Sequence, residues 1–316
     1  MHNYAKPYVK MPRGKTSRLP KRRLAVNKLS VGPQSGYTQR MKTHHSQRSQ
    51  KYHNRVARRY DNMYDDPYWA FHDRLTWEHV RGFLPANTSA HVMDLGCGTG
   101  KWGLKLLKMG YPTLFVDHAA GMLEQVRLKL AEWSQQPDLA GKAVRGTTCL
   151  ADAATLDGVP SEQFDLLLAM GDVVSICSSP AGCLAAMKRV LRPGGVAIFT
   201  VDNLLAGLDH YAEMGDVNKL VEFAAAGSTQ WLTNDKSEQF ALQMFSPAGI
   251  SKLAAGQGFS IVSMIGKTVL PVRKNRKLFE NPHALEKMLK AESLLARDPA
   301  ALGRAGHLQL AVRKDA

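Results

Sequence analysis

The stretch His91-Val-Met-Asp-Leu-Gly-Cys-Gly-Thr-Gly-Lys-Trp-Gly103 decides the fold of this chain. A short apolar strand runs into an acid, Asp94, and glycines follow at every second position. Glycine has no Cβ, so it accepts positive φ angles and lets a ligand approach the backbone closely. An amphipathic helix comes next, and its first turn adds free N–H groups and a positive dipole end. The pattern predicts a nucleotide-like ligand at the carboxyl end of the first strand.

Strands and helices alternate from this stretch onward, which is typical of an α/β fold. We predict a doubly wound, mostly parallel seven-stranded sheet with helices on both faces. The predicted strands are 91–95, 112–117, 143–148, 164–170, 196–201, 259–270 and 307–312. Residues 203–245 break the alternation and are too long for an ordinary connection, so we predict a lid or substrate-binding insertion there.

The net charge of +15 is concentrated at one end of the 316-residue chain. Residues 1–60 hold 16 Lys and Arg and no acid, whereas the remainder holds 26 basic residues against 27 acidic ones. Residues 1–55 also lack apolar periodicity and contain several prolines, so we predict a disordered or extended basic arm. A helical lead-in is predicted at 56–89 and the main domain at 90–316.

The arm has two competing interpretations. It suits contact with RNA or a ribonucleoprotein particle through residues 1–60, because Lys and Arg replace the counterions of phosphates. An acid-free N-terminus also resembles a targeting segment, and Lys21-Arg22-Arg23 resembles a nuclear address. The mitochondrial matrix is the predicted location, with the cytoplasm or nucleus as alternatives.

The remaining composition excludes several classes of protein. No apolar run reaches the roughly 18–20 residues that span a bilayer, so no membrane partner is predicted. The four cysteines show no CxxC or Cys/His spacing, so neither a metal site nor a disulfide framework is indicated.

The motifs together resemble the class I S-adenosylmethionine-dependent methyltransferases. Asp94-Leu-Gly-Cys-Gly-Thr-Gly100 is similar to the family's first motif, and Asp117 after an apolar strand is similar to its second. Ala151-Asp152, Phe164–Gly171 and Leu191-Arg-Pro-Gly-Gly195 match its later motifs. The resemblance implies a Rossmann-like fold and S-adenosylmethionine as cofactor, and it covers 90–202 strongly and 246–314 by topology. A nicotinamide dehydrogenase is disfavoured because its glycines are spaced G-x-G-x-x-G.

The resemblance also implies a set of cofactor-binding residues. In it, Asp94 meets the donor's ammonium, Asp117 both ribose hydroxyls and Asp152 the adenine amino group, while Met122 packs on the adenine. Cys97 lies in the glycine turn and is interpreted as a small filler rather than a nucleophile. The full predicted set is Asp94, Gly96, Cys97, Gly98, Gly100, Asp117, His118, Met122, Ala151, Asp152 and Gly171.

The acceptor side is less clearly marked in the sequence. Asp172 follows the strand end where the family's acceptors enter, so it is the candidate catalytic residue or polar acceptor contact. His307 opens the last strand and is predicted to be a structural histidine rather than a base. An apolar acceptor pocket around Tyr211, Trp231 and Phe240 is an alternative.

Three functions follow from these features. The leading prediction is a methyltransferase enzyme acting on, or docked to, RNA, as in mitochondrial ribosome assembly. The second is a non-catalytic scaffold with the same fold on a ribonucleoprotein particle. The third is a small-molecule methyltransferase with an N-terminal targeting segment.

Overall fold

A seven-stranded sheet forms the centre of the protein. The computed structural model describes residues 35–230, 236–272 and 275–315, with side chains from residue 46 onward apart from those of 236 and 276. The strands of the sheet are β1 Val92–Leu95, β2 Thr113–Asp117, β3 Gly146–Leu150, β4 Phe164–Ala169, β5 Leu191–Asp202, β8 Phe259–Lys267 and β9 His307–Lys314. Their order in the sheet is β3-β2-β1-β4-β5-β9-β8. Strands β1 to β5 pair in parallel and β9 runs antiparallel to both neighbours, which confirms the predicted mostly parallel sheet.

Helices cover both faces of this sheet. Those before β1 are α1 Ser35–Val56, α2 Tyr60–Met63 and α3 Pro67–Arg81. Those between the parallel strands are α4 Lys101–Lys108, α5 Ala120–Ser134, α6 Pro137–Ala143, α7 Val173–Ile176 and α8 Pro180–Val190. Those that follow β5 are α9 Leu204–Met214, α10 Val217–Ala226, α11 Pro247–Gly256, α12 Pro282–Leu295 and α13 Pro299–Leu302.

Alternate residues of the central strands enter separate hydrophobic clusters. Val92 and Leu166 pack in one cluster, while their neighbours Met93 and Leu167 pack in another. Successive side chains of a strand point to opposite faces, so both faces of the sheet are buried. This double burial explains the continuous apolar run of β4 in the sequence.

The order of the strands places a crevice at the carboxyl end of β1. The chain crosses from β1 to β2 on one side and later adds β4 on the other side. The helices that follow β1 and β4 therefore diverge, which opens a binding crevice at the point where the strand order reverses. The glycine turn lies at this point.

The predicted insertion has its own small structure. It contains α9 and α10 and an antiparallel pair of strands, β6 Ser228–Gln230 and β7 Ala241–Gln243. Trp231, part of the predicted acceptor pocket, lies outside the described residues.

The C-terminal part of the predicted arm belongs to the folded protein, which corrects its boundary at residue 55. Residues 35–56 are helical, and Tyr52 and Val56 are buried in a cluster with Met122 and Phe240. Favourable tertiary contacts therefore order a polar segment that has no strong amphipathic pattern of its own. Residues 1–34 lie outside the described residues, so an arm there stays a prediction.

Within the part of the chain that the structure describes, none of the helices combines the length and the apolar character needed to cross a membrane.

Candidate functional site: a cleft at the glycine turn

The glycine turn has the backbone conformation that its sequence requires. Gly96, Gly98 and Gly100 have φ angles of 61°, 54° and 89°, in the left-handed region that favours glycine. A Cβ on Gly96 would lie 2.4 Å from Cγ2 of Val173. Gly96 and Gly98 line the cleft, whereas Gly100 lies behind it as the N-cap of α4.

Asp94 is buried and connects the end of β1 to the first turn of α4 through a hydrogen bond. Its Oδ2 accepts a hydrogen bond from the backbone N–H of Gly103 at 2.7 Å. Burial raises the pKa of Asp94 to about 7, opposed by the Gly103 N–H and reinforced by the negative charge of Asp117. Asp94 is not among the residues that line the cleft, so its predicted contact with the donor's ammonium stays a prediction.

Asp117 lies on the cleft wall, where the ribose-binding acid is expected. Its Oδ2 accepts from the N–H of Gly98 at 2.9 Å and its Oδ1 from the N–H of Ala119 at 2.8 Å. The next residue, His118, also lines the cleft, and its buried Nε2 has no hydrogen-bond partner among the described residues. A buried polar atom without a partner is costly, so this wall is suited to a polar ligand.

Three further predicted residues line the same cleft: Ala151, Asp152 and Gly171. Asp152 follows β3, and its Oδ1 accepts from the N–H of Ala154 at 2.8 Å. Its Oδ2 accepts from the hydroxyl of Ser46 on α1 at 2.9 Å. Residues at or just after the carboxyl ends of β1, β2, β3 and β4 thus converge on one cleft.

Helix α1 forms a wall of the cleft that the sequence did not reveal. Ser46, Ser49 and His53 line it. The Gln50 side chain donates to the His118 carbonyl at 2.6 Å, and Asn54 Oδ1 accepts from the N–H of Gly121 at 2.7 Å. The spacing of Ser49, His53 and the buried Val56 is helical, but the surrounding basic residues obscured this signal.

Burial lowers the pKa of His53, the histidine of α1 that lines the cleft. The negative charge of Asp117 acts in the opposite direction and raises this pKa. The neutral imidazole is therefore favoured in the buried wall.

Besides Asp94 and Gly100, two predicted cofactor residues, Met122 and Cys97, are not among the residues that line the cleft. Met122 is fully buried in the cluster beneath α1, so its predicted packing on the adenine is not supported by its position. Phe240 packs in the same cluster, which argues against its proposed role in an acceptor pocket.

Cys97 is buried beside Phe115 and Leu123, and burial raises its pKa well above the usual range. Both features agree with a filler rather than a nucleophile.

A partly buried polar cluster adjoins the cleft next to Gly171. Asp172 begins α7 with a φ of 61°, and its N–H donates to Thr200 Oγ1 at 2.9 Å. His307 is the register partner of Asp202 across β5 and β9. Nδ1 of His307 lies 3.0 Å from Oδ2 of Asp172 and 3.9 Å from Oδ1 of Asp202. His307, predicted to be a structural histidine, is thus paired with the candidate catalytic acid.

The electrostatics of this cluster keep Asp172 ionised. Burial opposes its ionisation, but attraction to His307 and their hydrogen bond, together with Lys267, hold the pKa of Asp172 well below its usual range. Lys267 is itself buried, which lowers its pKa to about 8, and its Nζ donates to Thr76 Oγ1 at 2.9 Å. Donor atoms of Asp172, Asp202 and His307 lie within 4.8 Å of one another, a spacing that also suits a divalent cation.

The comparisons with known proteins agree with this geometry. Residues 92–195 match a family model described as a methyltransferase domain. A ubiquinone biosynthesis O-methyltransferase from Dinoroseobacter shibae is 32% identical over 35% of this chain and 41% of its own length. One from Thiobacillus denitrificans is 25% identical over 65% of this chain and 78% of its own. A solved S-adenosylmethionine-dependent methyltransferase from Methanosarcina mazei shares the fold, with a TM-score of 0.51, 15% identity and coverage of 75% and 96%.

Residues 92–195 therefore form a methyltransferase domain, and the sheet that contains it has the fold of S-adenosylmethionine-dependent methyltransferases. The cofactor of this domain is S-adenosylmethionine, and the glycine cradle, Asp117 and the unpartnered His118 nitrogen fit such a ligand. The chain spans only about two fifths of the length of the Dinoroseobacter relative, so that protein's substrate does not transfer with the domain.

Proposed function

We propose that this protein is an active methyltransferase that methylates an oxygen atom of a small molecule, with His307 as the base that removes the acceptor's proton. The observation that carries the proposal is the Asp172–His307 pair beside the cleft. Bound S-adenosylmethionine supplies an activated methyl group, so the protein needs to position the acceptor and receive its proton.

The hydrogen bond of the pair defines which histidine nitrogen is available. The Asp172 carboxylate accepts from Nδ1–H of His307, and this tautomer leaves Nε2 as a proton acceptor. Nε2 makes no hydrogen bond within the described residues. Asp172 stabilises the imidazolium that forms when Nε2 takes a proton, as a carboxylate does in other acid–histidine pairs.

The position of the Asp172–His307 pair and the names of the relatives both support an oxygen atom of a small molecule as the methyl acceptor. Gly171 lines the donor cleft and is followed directly by Asp172, so an acceptor at His307 lies next to the donor site. The relatives in ubiquinone biosynthesis are named O-methyltransferases.

The test uses donor labelled on its methyl group, small-molecule extracts and total RNA as two separate acceptor pools. We expect label in the small-molecule pool. His307→Ala should reduce that rate by about 10²–10⁴-fold and leave donor affinity unchanged. The residual rate should rise with pH, because an acceptor without a base must ionise by itself. His283→Ala, at an exposed histidine, is the control. An unchanged rate in His307→Ala would contradict the assignment.

RNA docking is a second proposed function, supported by the acid-free cationic segment 1–60. This proposal covers the role in ribosome assembly and the mitochondrial location that were expected from the sequence. A scaffold that binds RNA without catalysing methyl transfer is the variant of this proposal in which the protein is not an enzyme. Removal of residues 1–34 should reduce RNA affinity and flatten its dependence on salt, while donor affinity stays the same. Fluorescence anisotropy between about 50 and about 200 mM salt measures both. Equal salt dependence in the two proteins would exclude the arm as an RNA contact.

A further inference from the structure

A groove between α3 and α4 lies outside the cleft at the glycine turn and outside the cluster of Asp172, Asp202 and His307. Arg74, Trp77 and Arg81 reach it from α3, and Lys101, Trp102 and Lys105 reach it from α4. We call these six residues the tryptophan groove. None of them lines the cleft at the glycine turn, so neither donor binding nor the proposed chemistry uses them.

The groove presents two aligned aromatic rings. The indoles of Trp77 and Trp102 are nearly parallel, with an interplanar angle of 14° and centroids 6.2 Å apart. Both rings are half-buried and pack against the hydrophobic cluster that contains Val80 and Leu106. This packing fixes the orientation of the rings. Nζ of Lys105 lies 3.9 Å from the centroid of Trp77, so a cation covers one face of this ring.

The groove also carries an excess of positive charge, because four basic residues line it against two acids, Asp73 and Glu78. Lys101 forms an ion pair with Asp73, and Arg74 forms one with Glu286. Arg81 and Lys105, in contrast, make no salt bridge with any described residue. Partial burial lowers the pKa of Lys105, against the attraction of Asp73, and the positive charges of Arg81 and Lys101 lower it further.

From this combination we infer that the tryptophan groove binds single-stranded RNA, with a base stacked on an indole and Lys105 and Arg81 on the adjacent phosphates. Stacking on aromatic side chains and contacts from cations to the backbone are the two components of sequence-tolerant single-strand binding. Lys105 would exchange its contact with the Trp77 ring for a phosphate, which exposes the ring to a base. An acidic peptide would satisfy the cations but would leave the aligned indoles unused.

This inference rests on the proposed RNA docking and assigns it a surface on the folded domain. The cationic segment and the groove are separate contacts, so each is tested by its own variant.

The experiment measures binding of a fluorescein-labelled 12-mer of uridine to the full chain at several salt concentrations. Arg81→Gln combined with Lys105→Gln should weaken binding at least tenfold and reduce the salt slope by one to two. The control, Lys252→Gln combined with Lys287→Gln, removes the same charge from two exposed positions outside the groove and should stay within twofold. Trp77→Phe should retain most of the affinity and Trp77→Leu should lose it, with donor affinity as the measure of an intact fold.

Several results would overturn the inference. Equal affinities of the groove and control variants would exclude the groove, and a 12-mer of glutamate that competes as well as the uridine 12-mer would show a general anion surface. If removal of residues 1–34 abolishes binding and the groove variant changes nothing, the arm alone docks RNA. If the groove variant alone loses binding, the arm proposal fails and the groove stands. Absence of binding by the unaltered chain would exclude both.

Discussion

Asp94 and Asp117 lie near the carboxyl ends of neighbouring parallel strands, yet their carboxylates have different surroundings. Asp94 is fully enclosed and accepts one N–H, from the first turn of α4. Asp117 accepts two N–H groups and lies on the cleft wall. The first carboxylate therefore secures the turn, and the second is placed to hold a ligand.

The position of Asp117 predicts a loss of donor affinity on substitution. Asp117→Asn should weaken S-adenosylmethionine binding by roughly 2–3 kcal/mol, because charge-assisted hydrogen bonds to the ribose hydroxyls are lost. Calorimetric titration measures the change. Asp157→Asn, at an exposed acid near the cleft residue Asp152, is the matched control and should bind normally. Equal affinities of the two variants would show that the ribose site is misassigned.

The burial of Asp94 predicts how stability changes with pH. Its pKa of about 7 in the folded protein lies above the ordinary value of 3.8, so the folded state binds the proton more tightly. The resulting stabilisation is complete below the unfolded pKa and is lost as pH rises through about 7. Asp94→Asn keeps an oxygen for Gly103 but cannot ionise. Between pH 5 and 7, the free energy of unfolding in urea should therefore fall less steeply with pH for Asp94→Asn than for the unaltered protein. The two slopes should differ by at most about 1.4 kcal/mol per pH unit. Parallel pH profiles for both proteins would contradict the assigned pKa.

At the scale of elements, α4 packs so closely on β2 that one of its own residues must be glycine. A Cβ on Gly103 would lie 2.3 Å from Phe115 and 2.8 Å from Asp94 Oδ2. Alanine is normally better than glycine inside a helix by about 1 kcal/mol, but overpacking costs about 1–3 kcal/mol.

We therefore expect Gly103→Ala to destabilise the protein. A Cβ added to Gly141, within α6, would meet no neighbouring atom within 4 Å, so Gly141→Ala should stabilise by about 0.4–1 kcal/mol. Thermal unfolding of both variants gives the comparison. A stabilised Gly103→Ala protein would mean that α4 lies farther from β2 than the structure shows.

Helix α1 illustrates what an element gains from its neighbours. Arg55 pairs with the fully buried Glu238 of the insertion, with Nη2 and Oε2 2.6 Å apart. Tyr52 and Val56 pack on Met122. A basic, polar segment thus becomes a wall of the cleft because the domain supplies its partners. No local pattern in residues 46–56 encodes those partners, so the sequence predicted an arm there.

At the scale of the whole molecule, the described part of the cationic segment 1–60 overlaps the cleft through Ser46, Ser49 and His53 of α1 and through Tyr60. Residues 1–60 carry a formal charge of +16, while the rest of the chain has a net charge of −1. The cleft and the cluster of Asp172, Asp202 and His307 both lie at the carboxyl edge of the sheet. Residues 1–34 hold 9 of the basic residues and none of the described residues that line the cleft. The proposed docking through them can therefore change without altering the cleft, and the variants proposed above separate the two proposals.

The sequence by itself determined the sheet, the glycine turn and the cleft residues Gly96, Asp117 and Asp152, because strand periodicity and short motifs are local properties of the chain. Only the tertiary structure decided that α1 closes the cleft, that Met122 lies beneath α1 and that His307 pairs with Asp172. Asp172 and His307 are 135 residues apart in sequence and meet because β9 is inserted antiparallel beside β5. Contacts of this kind depend on how the elements pack, which no local pattern specifies.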